Sequence, residues 1–187
     1  LNTYGPTEGT IIATVYEAEG EEEGEVPIGK ALGNVKVYIL DENLEAVPQG
    51  VPGELYIGGE AVAAGYLKRA ELTAERFIEN PREAGERLYR TGERVKWIGG
   101  GEIEYLGRQD SQVKVHGYRV EMGEIEEVLR QHERIVDSVV LAERSAGEEG
   151  AGAKRLIGYY VAMEGEELSE GEVRSYLNEK LPSYMVP

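Results

Sequence analysis

Val35, Val37 and Ile39 alternate with Lys36 and Tyr38, and this two-residue period predicts a half-buried strand. The residues around it repeat the signal. Ile11 to Tyr16 is rich in β-formers and predicts a short strand after an opening loop. A turn-rich stretch from Asp41 to Gly53 ends in Pro52-Gly53 and leads into a strand expected over Glu54 to Gly58. Arg87 to Ile98 and Glu102 to Gly107 predict a hairpin about Gly99-Gly100-Gly101. One helical period interrupts the strands: Ala70 to Ile78, with Leu72 and Phe77 as its expected buried positions and Asn80-Pro81 as its stop.

After Arg108 the pattern changes. Gln112 to Val120 predicts a small hairpin around His116-Gly117. Ile125, Val128 and Leu129 stand at helical spacing within Glu124 to His132, with Glu121 and Glu124 near the positive N-terminal end. Ser138 to Ala142 and Leu156 to Met163 are apolar, β-branched or aromatic runs that read as strands, joined by a Gly- and Glu-rich stretch from Ser145 to Ala153. Ser169 and Glu172 form a Ser-x-x-Glu capping box. Behind it Val173, Tyr176, Leu177 and Leu181 share one face until Pro182 stops the helix. The pattern therefore predicts an α+β chain in two parts, mostly strands and then a small mixed layer, meeting near Asp110.

Composition narrows the partners. The chain has 187 residues, enough to bury a core in one or two domains. Acidic residues outnumber basic ones 36 to 20, for a formal charge of -16. That balance argues against a nucleic-acid backbone or an anionic membrane as the main partner, yet a single nucleotide needs only a local cluster of donors and a metal. The Glu- and Gly-rich run from Glu17 to Glu25 reads as a solvated loop. The absence of cysteine rules out disulfides and thiolate metal sites and suits a reducing, cytoplasmic setting. No apolar run is long enough to cross a bilayer. Leu1 is not an initiator Met, and both ends fall inside dense motifs, so the chain is expected to be a stretch of a longer protein.

Three strings carry chemistry. In Tyr4-Gly5-Pro6-Thr7-Glu8 a fixed turn projects its flanking side chains. The ring before it can stack on a flat base, while the hydroxyl and carboxylate after it can meet a phosphate and a bridging Mg²⁺. In Leu88-Tyr89-Arg90-Thr91-Gly92-Glu93 a strand ends in a carboxylate able to accept both hydroxyls of a ribose. From Gly107 to Glu126 basic residues gather beside the expected junction of an otherwise acidic chain, which makes Arg108 and Lys114 candidates for holding an anion.

Taken in order and spacing, these strings resemble the adenylation domains of nonribosomal peptide synthetases, within the adenylate-forming superfamily that includes acyl-CoA synthetases and luciferases. The opening resembles that family's Asn-x-Tyr-Gly-Pro-Thr-Glu motif without a mismatch. Gly53 to Leu67 resembles the next motif, which usually ends Ala-Arg-Gly-Tyr and here has Ala64 in place of the Arg. Leu72 to Phe77 is a typical continuation. Gly107 to Glu126 resembles the hinge and core motif, and Leu181 to Pro187 the penultimate one. Val120 to Glu126 looks more like the peptide-synthetase form than the CoA-synthetase form. A D-alanine–carrier ligase, an acyl- or aryl-CoA synthetase fragment, and a catalytically silent docking module remain the alternatives.

The resemblance implies a distorted barrel-like, mostly-β end of a large subdomain over 1–109. A small α+β subdomain would follow over 110–187, ending before its catalytic Lys motif. The Lys-Gly loop that holds the β- and γ-phosphates is absent from the sequence, so the fragment alone is expected to be inactive. The resemblance further implies ATP, Mg²⁺ and an amino acid as ligands, the phosphopantetheine of a carrier domain as acceptor, and an MbtH-like protein as a further partner. By residue, Asn2, Tyr4, Gly5, Thr7, Glu93, Tyr105 and Arg108 would meet the nucleotide. Tyr4 would stack on adenine, Thr7 would contact the α-phosphate, and Glu8 would help bind the metal. Thr3, Ile11 and Ile12 would line an apolar wall of the substrate pocket. Asp110 would be the hinge, and Lys114 and Gly117 would belong to the loop that lines the pantetheine channel. Thr7, Glu8 and Lys114 are the expected catalytic set. Glu93 stands where the family has Asp, Arg94 where it is usually apolar, and His116 where Arg is commoner. The extra methylene of Glu93 calls for compensation nearby if the ribose contact is kept.

Overall fold

A computed structural model describes residues 1–18, 20, 24–109, 112–115, 118–144 and 154–187. The chain divides into two compact units, Leu1–Asp110 and Ser111–Pro187.

The first unit is built almost entirely of antiparallel strands. β1 (Asn2–Tyr4), β2 (Thr14–Tyr16) and β3 (Lys30–Ala31) form a small sheet in that order. A larger sheet holds β4 (Val35–Leu40), β5 (Gly53–Gly59), β6 (Phe77–Glu79), β7 (Arg87–Trp97) and β8 (Ile103–Arg108), with one helix, α1 (Ala70–Arg76), between β5 and β6. Its order is β4-β5-β7-β6, and β8 also pairs with β7. At 11 residues, β7 is long enough to carry two partners end to end on one edge: Phe77 to Glu79 against its first half, Ile103 to Arg108 against its second. Leu55 and Ile57 face one side of β5 and join clusters with Ile39, Val95, Ile103, Phe77 and Tyr89. Tyr56, on the other side, packs with Leu40 and Leu88. Gly53 through Gly58 are all buried, so both faces of β5 are covered and its run shows no alternation.

Three expectations fail locally. The strand expected over Ile11 to Tyr16 begins only at Thr14; Ile11 has φ 70° and lies in a turn. The helix expected to reach Ile78 ends at Arg76, because Phe77 to Glu79 pair with Arg87 to Tyr89 and tertiary pairing overrides the local period. Within that segment Phe77 is buried as expected, but Leu72 is 38% exposed. The hairpin over β7 and β8 forms about Gly99–Gly101 as the pattern predicts.

The second unit joins β9 (Gln112–Val115) and β10 (Tyr118–Glu121) in one hairpin, and β11 (Ile135–Arg144) and β12 (Lys154–Ala162) in another. Two helices, α2 (Met122–Arg130) and α3 (Glu170–Lys180), complete it. Ile125, Leu129, Val140, Val173 and Leu177 meet in its core. Glu126 ties α2 to β11: its carboxylate accepts the Val140 amide at 2.9 Å, and its carbonyl accepts the Ser138 hydroxyl at 3.1 Å. The capping box of α3 is closed as the sequence predicts. Ser169 Oγ accepts the Glu172 amide at 3.3 Å, and Glu172 accepts the Ser169 amide at 3.0 Å. Such a cap stabilises a helix by about 1 kcal/mol. Asp110, His116 and Gly117, and the stretch 145–153, lie outside the described residues. Among the described residues no helix is long and apolar enough to cross a membrane.

Candidate functional site

Gly5 and Pro6 lead β1 into a single tight turn over Thr7–Gly9. A Cβ on Gly5 would lie 2.3 Å from the Ile11 carbonyl oxygen, so only glycine lets 11–13 fold back on the turn. Ala13 completes the return by donating its amide to the Tyr4 carbonyl at 2.7 Å. Ile12 donates to Thr10 at 2.8 Å across Ile11, and both Thr10 and Ile11 have positive φ, an uncommon conformation for β-branched residues. Thr3, Thr7 and Ile11 are exposed, and Ile12 is 38% exposed. The Asn2 side-chain amide donates to the Pro27 carbonyl at 2.7 Å and so braces β1.

Glu8 is buried. Its carboxylate accepts the Tyr66 hydroxyl at 2.6 Å, and its carbonyl accepts the Ala63 amide at 2.9 Å. Burial first, and then the bond to Glu8, hold the Tyr66 phenol well above its ordinary pKa. Tyr66 is itself fixed by an edge contact with Phe77 and by Thr73 Oγ, which accepts its amide at 3.0 Å. Among the described residues no three His, Cys, Asp or Glu side chains converge as a metal-binding group. Glu8 offers a single carboxylate. That donor set suits Mg²⁺, which is commonly held by one or two carboxylates together with phosphate oxygens.

Glu93 sits on a distorted stretch of β7. Glu54 and Tyr56 of β5 pair with Arg94 and Arg90, so the single residue Leu55 faces three, Thr91, Gly92 and Glu93. This three-to-one insertion is larger than the usual two-to-one β-bulge, and its backbone groups cannot all reach the ladder. Side chains and a neighbouring segment take over. Thr91 Oγ accepts the Glu93 amide at 3.0 Å and donates to the Leu55 carbonyl at 2.7 Å. Gly92, at φ 74°, donates its amide to Glu54 Oε1 at 3.0 Å and accepts the Gln109 amide at 2.9 Å. The Thr91 carbonyl accepts Arg108 Nη2 at 3.0 Å.

The bulge turns the Glu93 side chain toward Arg108, which donates Nη1 to Glu93 Oε1 at 2.9 Å. Both side chains are largely buried, and the pair joins β7 to β8. The Tyr4 phenol is buried beside them. Burial first, then the Glu93 charge, push its pKa up, while Arg108 opposes that shift. Tyr105, on β8, packs half-buried against the cluster of Ile39, Leu55, Val95 and Ile103. Tyr4, Glu93 and Arg108 thus come together. Asn2 and Glu8 are held by their own partners, and Lys114 lies on β9 opposite Arg119 in the second unit. Motif reading did not single out Glu54, Thr91 or Tyr66 as supports. Glu54 carried one legible sign: an acid within a strand run that has no alternation to carry it to solvent.

Residues 1–67 match the family model described as AMP-binding enzyme. Over its whole length the chain is 47% identical to a segment of gramicidin S synthase 2 from Brevibacillus brevis, of which it spans 4%. It is likewise 46% identical to a segment of tyrocidine synthase 1 from Brevibacillus parabrevis, of which it spans 17%. Solved structures agree. An artificially fused adenylation–PCP di-domain peptide synthetase from Klebsiella oxytoca is 31% identical with a TM-score of 0.75, covering 98% of this chain and 34% of that one. PA1221, a peptide-synthetase protein containing adenylation and PCP domains, is 30% identical with a TM-score of 0.79, covering 99% of this chain and 36% of that one. The strand-rich α+β fold and the sequence matches point the same way: the chain is similar to AMP-binding enzymes over residues 1–67 and to peptide-synthetase segments over its whole length. Both of these solved structures contain an adenylation domain of a nonribosomal peptide synthetase, and the chain is similar to each across nearly all of its length.

Proposed function

We propose that this chain is the ribose-side and hinge portion of an ATP-dependent amino-acid adenylation domain. In the parent protein an amino-acid carboxylate oxygen attacks the α-phosphorus of ATP. Pyrophosphate leaves and aminoacyl-AMP forms. A phosphopantetheine thiol of a carrier domain then attacks the acyl carbon, the thioester forms and AMP leaves. The observation that carries this reading is the buried group of Tyr4, Glu93 and Arg108 around a bulge whose backbone is satisfied by dedicated side chains.

In this reading Glu93 accepts the ribose hydroxyls, held at its position by Arg108, which compensates for the methylene that Glu has beyond Asp. Tyr4 offers its ring to adenine and Thr7 its exposed hydroxyl to the α-phosphate. Glu8 would hold Mg²⁺, which when bound neutralises charge building on the phosphate oxygens. The exposed Thr3, Ile11 and Ile12 form part of a wall that favours an uncharged substrate side chain. Asp110, at the end of the first unit, is the hinge between the subdomains 1–109 and 110–187. Lys114 and Gly117 line the channel that admits pantetheine. An MbtH-like protein is a further partner, and the setting is cytoplasmic.

The test is amino-acid-dependent pyrophosphate exchange by the parent protein. Glu93→Ala should lower kcat/KM for ATP by about 10–100-fold, the range for losing a hydrogen bond to a charged group. An unchanged value would overturn the ribose assignment. The 187 residues alone should give no exchange, since they lack the Lys-Gly phosphate loop.

A further inference from the structure

Gly53 to Leu67 resembles a family motif apart from Ala64, yet none of its residues has a part in the proposed chemistry. Glu54 is its anomaly. The carboxylate is almost fully buried, and it sits on β5 directly beside the bulge. Buried acids are rare unless their oxygens are used. Here they are. Oε1 accepts the Gly92 amide at 3.0 Å, Arg90 Nε reaches both oxygens at 3.0 and 3.1 Å, and the Tyr56 hydroxyl approaches Oε2 at 3.3 Å.

The Arg90 pair alone is a poor reason for this arrangement. Its guanidinium side is 46% exposed, and a pair open to solvent contributes little to stability. The Gly92 amide is the more demanding partner. With one residue of β5 facing three of β7, no β5 carbonyl is in register to accept it, and a buried amide without an acceptor is costly. Gly92 also stands immediately before Glu93.

We infer that Glu54 is a positioning residue for Glu93: its carboxylate pins the Gly92 amide, fixes the shape of the bulge and thereby aims the ribose-facing acid. Glu54 touches neither substrate nor metal and works through the backbone of residue 92. Arg90 caps the exposed side of the carboxylate. The inference rests on the ribose role proposed for Glu93, and the experiment separates the two.

Two readouts are needed. The first is amide hydrogen exchange in the 187-residue chain. Glu54→Leu should speed exchange at Gly92 by about tenfold, the factor that one net hydrogen bond is worth, while the amides of Ile57 and Tyr89 stay protected. Glu54→Gln keeps the volume and one acceptor oxygen and should restore most of the protection. If Glu54→Leu does not fold, Glu54→Gln carries the test through a smaller rise at Gly92 alone. The second readout is the ratio of kcat/KM for ATP to that for 3′-deoxy-ATP in the parent protein. Glu54→Leu should lower this ratio toward the value for Glu93→Ala, with Glu54→Gln in between. Unchanged Gly92 exchange, or an unchanged ratio where Glu93→Ala does lower it, overturns the positioning role. If Glu93→Ala itself leaves the ratio unchanged, the ribose reading fails. Gly92 exchange then still decides whether Glu54 holds the bulge.

Discussion

Glu93 shows how one methylene propagates. A shorter Asp on the same bulge would withdraw its carboxylate from Arg108, whose Nη1 now lies 2.9 Å from Oε1. The guanidinium is largely buried, so an unmet donor there is expensive. Sequence reasoning alone expects Glu93→Asp to keep or improve the ATP KM, because Asp is the family's residue. With the Arg108 pair in view the expectation reverses. Glu93→Asp should destabilise the chain by about 1–3 kcal/mol, read by denaturant unfolding, and raise the ATP KM of the parent by about tenfold. A neutral or improved KM would mean that Arg108 follows the shorter side chain.

Elements divide into those that announce themselves and those that tertiary pairing imposes. The α3 helix is the first kind. Its cap is local, so Ser169 and Glu172 disclose it without knowledge of the rest of the chain. The cap also sets a pH dependence. Hydrogen bonds from the Ser169 backbone, then from its hydroxyl, then from Arg134 lower the Glu172 pKa to about 2, below its ordinary value of 4.5. A depressed folded pKa means that the carboxylate's stabilisation is present above about pH 4.5 and is lost as pH falls toward 2. Amide protection in the first turn of α3 should therefore decline across that window, and Glu172→Gln should flatten the decline. β6 is the second kind. Phe77 to Glu79 continue the helical pattern of α1, and only the partner strand, about ten residues later, makes them extended. The bulge was hidden for the same reason. Thr91-Gly92-Glu93 reads as an ordinary strand end until Leu55 is known to face all three residues. The ordered motifs pointed to Tyr4, Glu93 and Arg108, but Glu54 acts through a backbone amide that leaves no side-chain signature.

At the scale of the whole chain each unit has its own core: Leu55, Ile57, Val95 and Ile103 in the first, Ile125, Leu129, Val140 and Leu177 in the second. The only tryptophan, Trp97, lies on β7 of the first unit. Leu129→Ala should cost the second unit about 2–5 kcal/mol, the range for emptying a buried Leu site. Unfolding followed by the β11 and β12 amides should shift accordingly, while the Trp97 emission transition stays in place. A common shift of both signals would show that the two cores melt as one.

The seating of β7 also sets an order of assembly. Its contacts with β6 and β8 close short loops, whereas Glu54 must come from 38 residues away to reach Gly92. Loop closure costs more entropy the longer the loop, so the meander of β6, β7 and β8 should gather first and β5 should dock late. The Arg108–Glu93 pair would then exist before the carboxylate that aims it. Stopped-flow measurements on Glu54→Gln should show faster unfolding and a nearly unchanged refolding rate, the mark of a contact absent from the transition state. A slowed refolding rate would place Glu54 in the folding nucleus instead.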